Sequence, residues 1–136
     1  PTKALLHSAT VLRACREAGG TLFGGNDGIR DTWTPYGSPD MLARAMLIGL
    51  RNDLRRDDEI GWVFDCVTTS AAHACGFADY GLVPGARADL VLVAASGVAE
   101  AVAQRAPRRL VISGGKRVAR DGRLLGDLAG QAAQGR

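Results

Sequence analysis

The apolar positions in the first half of the chain recur at helical spacing. Apolar side chains three or four residues apart over residues 9–18 predict an amphipathic helix, which Gly19-Gly20 would end. Ser38 followed by Pro39 is typical of a helix start, and residues 39–54 carry an apolar surface broad enough to be mostly buried. Two further helices are predicted, from Asp57 or Asp58 and from Thr69 or Ser70.

The second half of the chain changes to strand patterns. The apolar run at residues 90–93 follows a Pro-Gly turn and predicts a buried strand, with a short helix after it at 97–106. Residues 108–125 indicate two strands joined by Gly114-Gly115, a strong signal for a tight hairpin. Before the first long helix, the run TLFGG at 21–25 is one more strand candidate. The order predicts an α/β fold: a βα unit of a parallel sheet, then a mostly β layer.

Composition narrows the class of protein. Hydrophobic residues make up 46% of the 136, enough for a globular core. The net charge is only +3, and the arginine clusters contain no aromatic residues, so we expect no nucleic-acid partner. No stretch approaches the roughly 18 consecutive apolar residues of a membrane span, so we expect no membrane partner. The three cysteines lack metal-binding spacing, which predicts buried, reduced thiols in a cytoplasmic protein without a targeting leader.

One loop carries the candidate chemistry. In FGGNDGIRDTWTPYG, residues 23–37, Asp27 comes directly after an apolar run, and an aromatic residue, Trp33, follows within the same loop. Asn-Asp-Gly is also ordinary turn chemistry, so Asp27 could serve the turn alone. Trp33 could equally be a packing residue. The residues by themselves leave both alternatives open.

Three stretches together resemble a known family. They are GNDGIRDTWTPYGSPDML from Gly25, AAHACGFADYGLVPGARADLVLV from Ala71 and PRRLVISGGKRVARDG from Pro107. In order and spacing they resemble the C-terminal third of the amidohydrolase superfamily, in particular its cytosine deaminase-like branch. The resemblance implies the C-terminal fragment of a (β/α)8 barrel plus part of the accompanying β-sandwich. Residues 1–80 would hold the last barrel strand and its helices, 81–125 the sandwich portion and 126–136 a flexible tail.

The resemblance also implies the chemistry. Asp27 would lie at the C-terminal end of the last barrel strand, where barrel active sites are built. There it would bind a catalytic zinc or iron ion and transfer the proton of the attacking water. Trp33 would lie against a planar small-molecule substrate. Gly28 follows the aspartate where some family members carry another residue, so cytosine, another aminated heterocycle and a cyclic amide all stay open as substrates.

The family's histidine ligands have no counterpart in these 136 residues. The family holds its metal mainly through histidines of earlier barrel strands, including an HxH pair, whereas this chain has two isolated histidines and no HxH. A catalytic zinc needs about three protein ligands, so we expect this chain alone to bind no metal and to be inactive. Its partner would be a missing N-terminal barrel portion or further copies of itself. The alternative is a non-catalytic remnant or an oligomerising interaction module.

Overall fold

The computed structural model describes residues 11–26, 28–33 and 35–126. Helices come first, and a sheet follows. The elements are α1 (residues 11–17), α2 (Met41–Arg51), α3 (Asp57–Cys66), α4 (Thr69–Ala74), β1 (Leu90–Val93), α5 (Val98–Gln104), β2 (Arg108–Ser113), β3 (Lys116–Arg120) and β4 (Arg123–Leu124). Across these ranges, no helix combines the length and apolar character that crossing a bilayer requires.

The sheet is an antiparallel meander in the order β1-β2-β3-β4. Leu92 of β1 lies opposite Leu110 of β2, and each later strand pairs with the one before it. The hairpin predicted at Gly114-Gly115 is confirmed. Both glycines have positive φ, 54° and 77°, as a two-residue turn between strongly twisted strands requires.

A second hairpin, between β3 and β4, was not predicted. Its turn is Asp121-Gly122, with left-handed φ angles of 47° and 76°. Asp-Gly is among the preferred pairs for such a turn. The signal was therefore present in the sequence, but the strand after it, Arg123–Leu124, is too short to show an alternating pattern.

The structure differs from the prediction at residues 21–25, which form no strand. A strand needs a neighbour with which to exchange ladder hydrogen bonds. In the described part of the chain every strand pairing is antiparallel and lies after residue 89. The backbone here is instead tied to a helix end, because Gly24 N donates to Cys66 O at 2.9 Å.

The core lies where α2, α3 and α5 meet. Its central side chains include Ala45 of α2, Val63 of α3 and Val102 of α5, which are 0%, 1% and 3% exposed. Burying a side chain of valine size stabilises the fold by about 1.5–3 kcal/mol. Because α5 lies between β1 and β2, the same core joins the N-terminal helices to the sheet region.

The cysteines only partly follow the prediction of buried thiols. Cys66, at the end of α3, is buried, whereas Cys15 is half-buried and Cys75 is exposed. Burial raises the pKa of the Cys66 thiol. For Cys75 the prediction is wrong, because α4 ends at Ala74 and leaves the following turn at the surface.

A buried carboxylate holds α1 against the start of α3. Glu59 is 4% exposed, and its Oε1 accepts a hydrogen bond from Arg13 Nε at 2.9 Å. Its Oε2 accepts from the backbone N–H groups of Arg55 and Arg56 at 2.9 and 3.2 Å. The Arg13 hydrogen bond, with these two backbone donors, lowers the pKa of Glu59 from 4.5 to about 2. The ionised form is therefore the one that the fold stabilises.

We predict that Glu59 makes the stability of the chain sensitive to acid. The pKa of Glu59 is lower in the folded than in the unfolded chain, so its contribution is complete above about pH 4.5 and is lost as the pH falls toward about 2. Glu59→Gln should lower the free energy of unfolding near pH 7, and its difference from the parent should shrink across that window. Urea unfolding followed by circular dichroism at several pH values measures this.

Asp57→Asn is the matched control, since Asp57 is an exposed carboxylate on the same helical turn. This variant should keep the acid dependence of the parent. If Glu59→Gln also keeps it, the proposed linkage is wrong.

Candidate functional site

The structure describes one of the two predicted site residues, Trp33, and not the other, Asp27. Asp27 lies outside the described residues, while its neighbours Asn26 and Gly28 lie within them. Trp33 is 89% exposed, and its backbone N–H donates to Asp31 Oδ1 at 2.9 Å. The metal-binding and catalytic roles of Asp27 and the substrate-binding role of Trp33 therefore stay predictions.

The loop around these positions is closed at its base, which we call the neck: residues 26 and 28 on one side and 37 and 38 on the other. Asn26 Nδ2 donates a hydrogen bond to Ser38 O across twelve positions of sequence. Beside it, Gly37 packs directly on the backbone of Gly28 and Ile29. The loop therefore leaves and rejoins the fold at nearly the same place.

The far side of the neck continues into the start of α2. Asp40 is the N-cap, and its Oδ1 accepts from the N–H groups of Leu42 at 2.9 Å and Ala43 at 3.2 Å. The predicted cap, Ser38 with Pro39 as first helical residue, is wrong by two positions. Ser38 Oγ instead accepts from Asp40 N at 3.2 Å. Asp40 is the N-cap because its carboxylate accepts hydrogen bonds from two N–H groups of the first helical turn. Its negative charge also interacts favourably with the dipole at the helix N-terminus.

Asp40 also pairs with Arg108, the first residue of β2. Partial burial acts to raise the pKa of Asp40, but the hydrogen bonds from Ala43 N, Arg108 and Leu42 N outweigh it, and the pKa is lowered. The carboxylate is consequently ionised at neutral pH. One charged group thus connects the loop, the helix and the sheet.

On the near side of the neck, the chain lies over an apolar groove. Leu22, Phe23 and Gly24 form one wall, and residues of α1, α2 and α3 form the rest of a cavity of about 470 Å³. A Cβ atom on Gly24 would lie 2.5 Å from Ile48 Cδ1, the outer end of that side chain, so Gly24 passes close to α2. Together with its hydrogen bond to Cys66, this contact fixes the chain just before Asn26.

The described residues do not by themselves form a metal centre. Within residues 11–26, 28–33 and 35–126, no group of three histidine, cysteine, aspartate or glutamate side chains is placed to hold an ion. A single aspartate at position 27 would supply one ligand of the roughly three that catalytic zinc requires. The described donor set therefore does not fit a complete catalytic site.

Comparison with known proteins identifies the family. The sequence model of the amidohydrolase family matches residues 2–119. The chain belongs to this family. An amidohydrolase assignment agrees with the resemblance inferred from the three sequence stretches, and the fold agrees at the level of an α/β chain with an antiparallel sheet.

Similar enzymes give the assignment more detail. N-isopropylammelide isopropyl amidohydrolase of Pseudomonas sp. (strain ADP) is 32% identical over 106 residues, which are 77% of this chain and 26% of that enzyme. The crystal structure of N-isopropylammelide isopropylaminohydrolase from Burkholderia multivorans is 66% identical, with a TM-score of 0.80, over 82% of this chain and 29% of that one. 5-Methylcytosine deaminase from Klebsiella pneumoniae, liganded with phosphonocytosine, is 27% identical, with a TM-score of 0.73, over 80% and 27%. The amidohydrolase chain spans about a quarter of the length of these relatives.

The loop could be predicted from the sequence, but the residues that hold it in place could not. Asn26, Ser38, Asp40 and Arg108 connect it to the rest of the fold, and none was predicted to do so. For Asp40 a signal existed, since aspartate directly before an apolar helical run is a favoured cap. Arg108 lies 68 positions after Asp40, so no local pattern in the sequence indicates that the two side chains meet.

We predict that the Asp40 cap stabilises the amidohydrolase chain. Asp40→Ala should lower the free energy of unfolding by about 1 kcal/mol, because two N–H groups of α2 lose their acceptor. Asp40→Asn removes the charge paired with Arg108 but retains a good cap, so it should cost less. Ser38→Ala is the control, with an expected change within about 0.5 kcal/mol. Equal effects of the alanine and asparagine variants in urea unfolding would refute the capping role.

Proposed function

We propose that this chain is the C-terminal segment of a metal-dependent amidohydrolase that hydrolyses a C–N bond of an aminated heterocycle. The observation that carries the proposal is the 66% identity to N-isopropylammelide isopropylaminohydrolase across 82% of the chain. Identity to 5-methylcytosine deaminase is much lower, at 27%. The proposed substrate class is therefore a heterocycle with an alkylamino substituent, in preference to cytosine.

In this proposal Asp27 is the proton-transfer residue. Its carboxylate accepts a proton from the water that attacks the ring carbon bearing the amino substituent. As the C–N bond breaks, Asp27 returns that proton to the leaving amine, and the hydroxyl oxygen stays on the ring. A positioned general acid–base of this kind contributes about 10²–10⁴-fold to the rate. The structure supports a fixed position for this residue, because both of its sequence neighbours, Asn26 and Gly28, lie at the closed neck.

Trp33 is proposed to contact the planar ring of the substrate. Its indole is exposed rather than packed in the described structure, so its face is available for apolar and π contact. The hydrogen bond from the backbone N–H of Trp33 to the Asp31 side chain forms a local turn at this point. Trp33 lies on a loop, and loops carry a disproportionate share of binding residues.

The metal ligands other than Asp27 are proposed to come from the rest of the enzyme. A bound divalent ion would lower the pKa of its water toward about 7. The described residues form no metal centre, which is consistent with a site completed by other barrel strands. Under this proposal the 136 residues alone neither retain zinc or iron nor catalyse the reaction.

The proposal predicts the behaviour of Asp27→Ala in a complete enzyme. A hybrid in which this chain replaces the matching C-terminal segment of the Burkholderia multivorans enzyme should release isopropylamine from N-isopropylammelide. Asp27→Ala in that hybrid should lower kcat by about 10²–10⁴-fold, because the proton acceptor is lost. Released amine is measured directly.

Asp79→Asn is the control, since Asp79 is an exposed carboxylate outside the loop. It should retain the activity of the parent hybrid. Full activity of Asp27→Ala in a folded hybrid would contradict the catalytic assignment.

A second candidate function is self-association without catalysis. Large apolar side chains are exposed on separate elements: Phe23 is 61% exposed, Leu50 on α2 is 72% and Leu92 on β1 is 52%. Among the described strands, β1 pairs with β2 alone, so its other edge has no ladder partner. Exposed apolar surface and an open strand edge both favour contacts between chains.

This candidate predicts that the purified chain is an oligomer. Multi-angle light scattering at micromolar concentration should give a mass above that of the 14.2 kDa monomer. Leu50→Glu should shift the mass toward the monomer, whereas Gln104→Glu, at an exposed polar position of α5, should not. A monomer at all concentrations tested would exclude self-association.

A further inference from the structure

The neck depends on one amide side chain. Asn26 Nδ2 donates to Ser38 O and so joins the two ends of the loop directly. The same side chain has its Oδ1 buried, with no hydrogen-bond partner among the described residues. Water is therefore excluded from the Oδ1 end of the amide, while the Nδ2 end is held by the hydrogen bond to Ser38.

The backbones of the neck also touch. A Cβ atom on Gly37 would lie 2.6 Å from Ile29 Cα, and nearer still to Gly28 O. Such an approach leaves no room for a side chain between the two loop ends. The Asn26 hydrogen bond and the glycine contact act at the same point and reinforce each other.

Each side of the neck is fixed to a different part of the fold. Before Asn26, Gly24 is hydrogen-bonded to Cys66 at the end of α3 and packs on Ile48 of α2. After Ser38, Asp40 caps α2 and pairs with Arg108 of β2. The Asn26–Ser38 hydrogen bond is the link that transfers this rigidity to the base of the loop.

We propose that Asn26 is a positioning residue for the loop that carries Trp33. Its amide keeps the neck closed, which limits the orientations in which the indole is presented to the ring of the substrate. Loss of this hydrogen bond lets the loop sample more conformations, and ring binding then has to order it. The substrate-related part of this inference rests on the proposed function, whereas the ordering of Trp33 does not.

The first test uses the chain itself. The sequence contains two tryptophans, so Trp62→Phe leaves Trp33 as the single fluorescent indole. In this background, Asn26→Ala and the nearly isosteric Asn26→Asp both remove the donor to Ser38. Each should lower the time-resolved anisotropy of Trp33 on the nanosecond timescale, where loop motion occurs.

Asn52→Ala is the matched control. Asn52, which is 9% exposed, is a second asparagine whose Nδ2 donates to a backbone carbonyl, Ile48 O, at 2.8 Å. This bond lies at the C-terminal end of α2 and involves none of the neck residues. Asn52→Ala should leave the Trp33 anisotropy unchanged even where it lowers the melting temperature, which separates local ordering from general destabilisation.

The second test measures catalysis in the complete hybrid enzyme. Asn26→Ala and Asn26→Asp should each raise KM for N-isopropylammelide about three- to tenfold, the range expected for one hydrogen bond. The value of kcat should change less than KM. Asn26→Gln keeps a donor and should recover part of the lost affinity, which a purely structural role would not predict.

The outcomes separate the two proposals. An unchanged Trp33 anisotropy in both Asn26 variants overturns the ordering role, whatever the hybrid does. A lowered anisotropy with an unchanged KM overturns the positioning role in catalysis. If the parent hybrid has no hydrolase activity, the proposed function fails, while the anisotropy measurement still decides whether Asn26 orders the loop.

Discussion

The ion pair between Asp40 and Arg108 connects the parts of this amidohydrolase chain that local structure leaves separate. The carboxylate of Asp40 accepts hydrogen bonds from the first turn of α2, and it also receives a guanidinium from the start of β2. Either interaction alone would be modest. Because they share one carboxylate, the start of α2 and the start of β2 are held in register. The loop that bears the candidate site ends directly before this point.

The connection through Asp40 shows how the fold supports a loop without regular structure. Residues 21–26 form no strand, yet Gly24 and Asn26 are held by single hydrogen bonds to Cys66 and Ser38. A glycine contact at the neck adds to the second of these. Few interactions are needed, since each is anchored in a helix or at its cap. The loop therefore has rigid ends while Trp33 stays exposed to solvent.

Several elements whose physical cause is local could be predicted from the sequence. Helical periodicity located α2 and α3, an apolar run located β1, and paired glycines located the turn between β2 and β3. The strand predicted at residues 21–25 is absent from the structure. Strand formation depends on a neighbouring strand, and the sequence TLFGG does not specify one. The neck and the Arg108 contact could not be predicted either, since they join positions 12 and 68 residues apart. The prediction for Asp27 rests on a family resemblance, because the residues alone leave it open as a turn former.

The position of α5 has a consequence for how the chain acquires its structure during synthesis. Ala101 and Val102 of α5 complete a core that includes side chains of α2 and α3, about 40 to 60 positions earlier. Ribosomes release the N-terminal helices first, so those helices wait with an uncovered apolar face until α5 emerges. Contacts between residues so far apart in sequence also form slowly. The nascent polypeptide thus passes through an interval in which a chaperone has an obvious surface to protect.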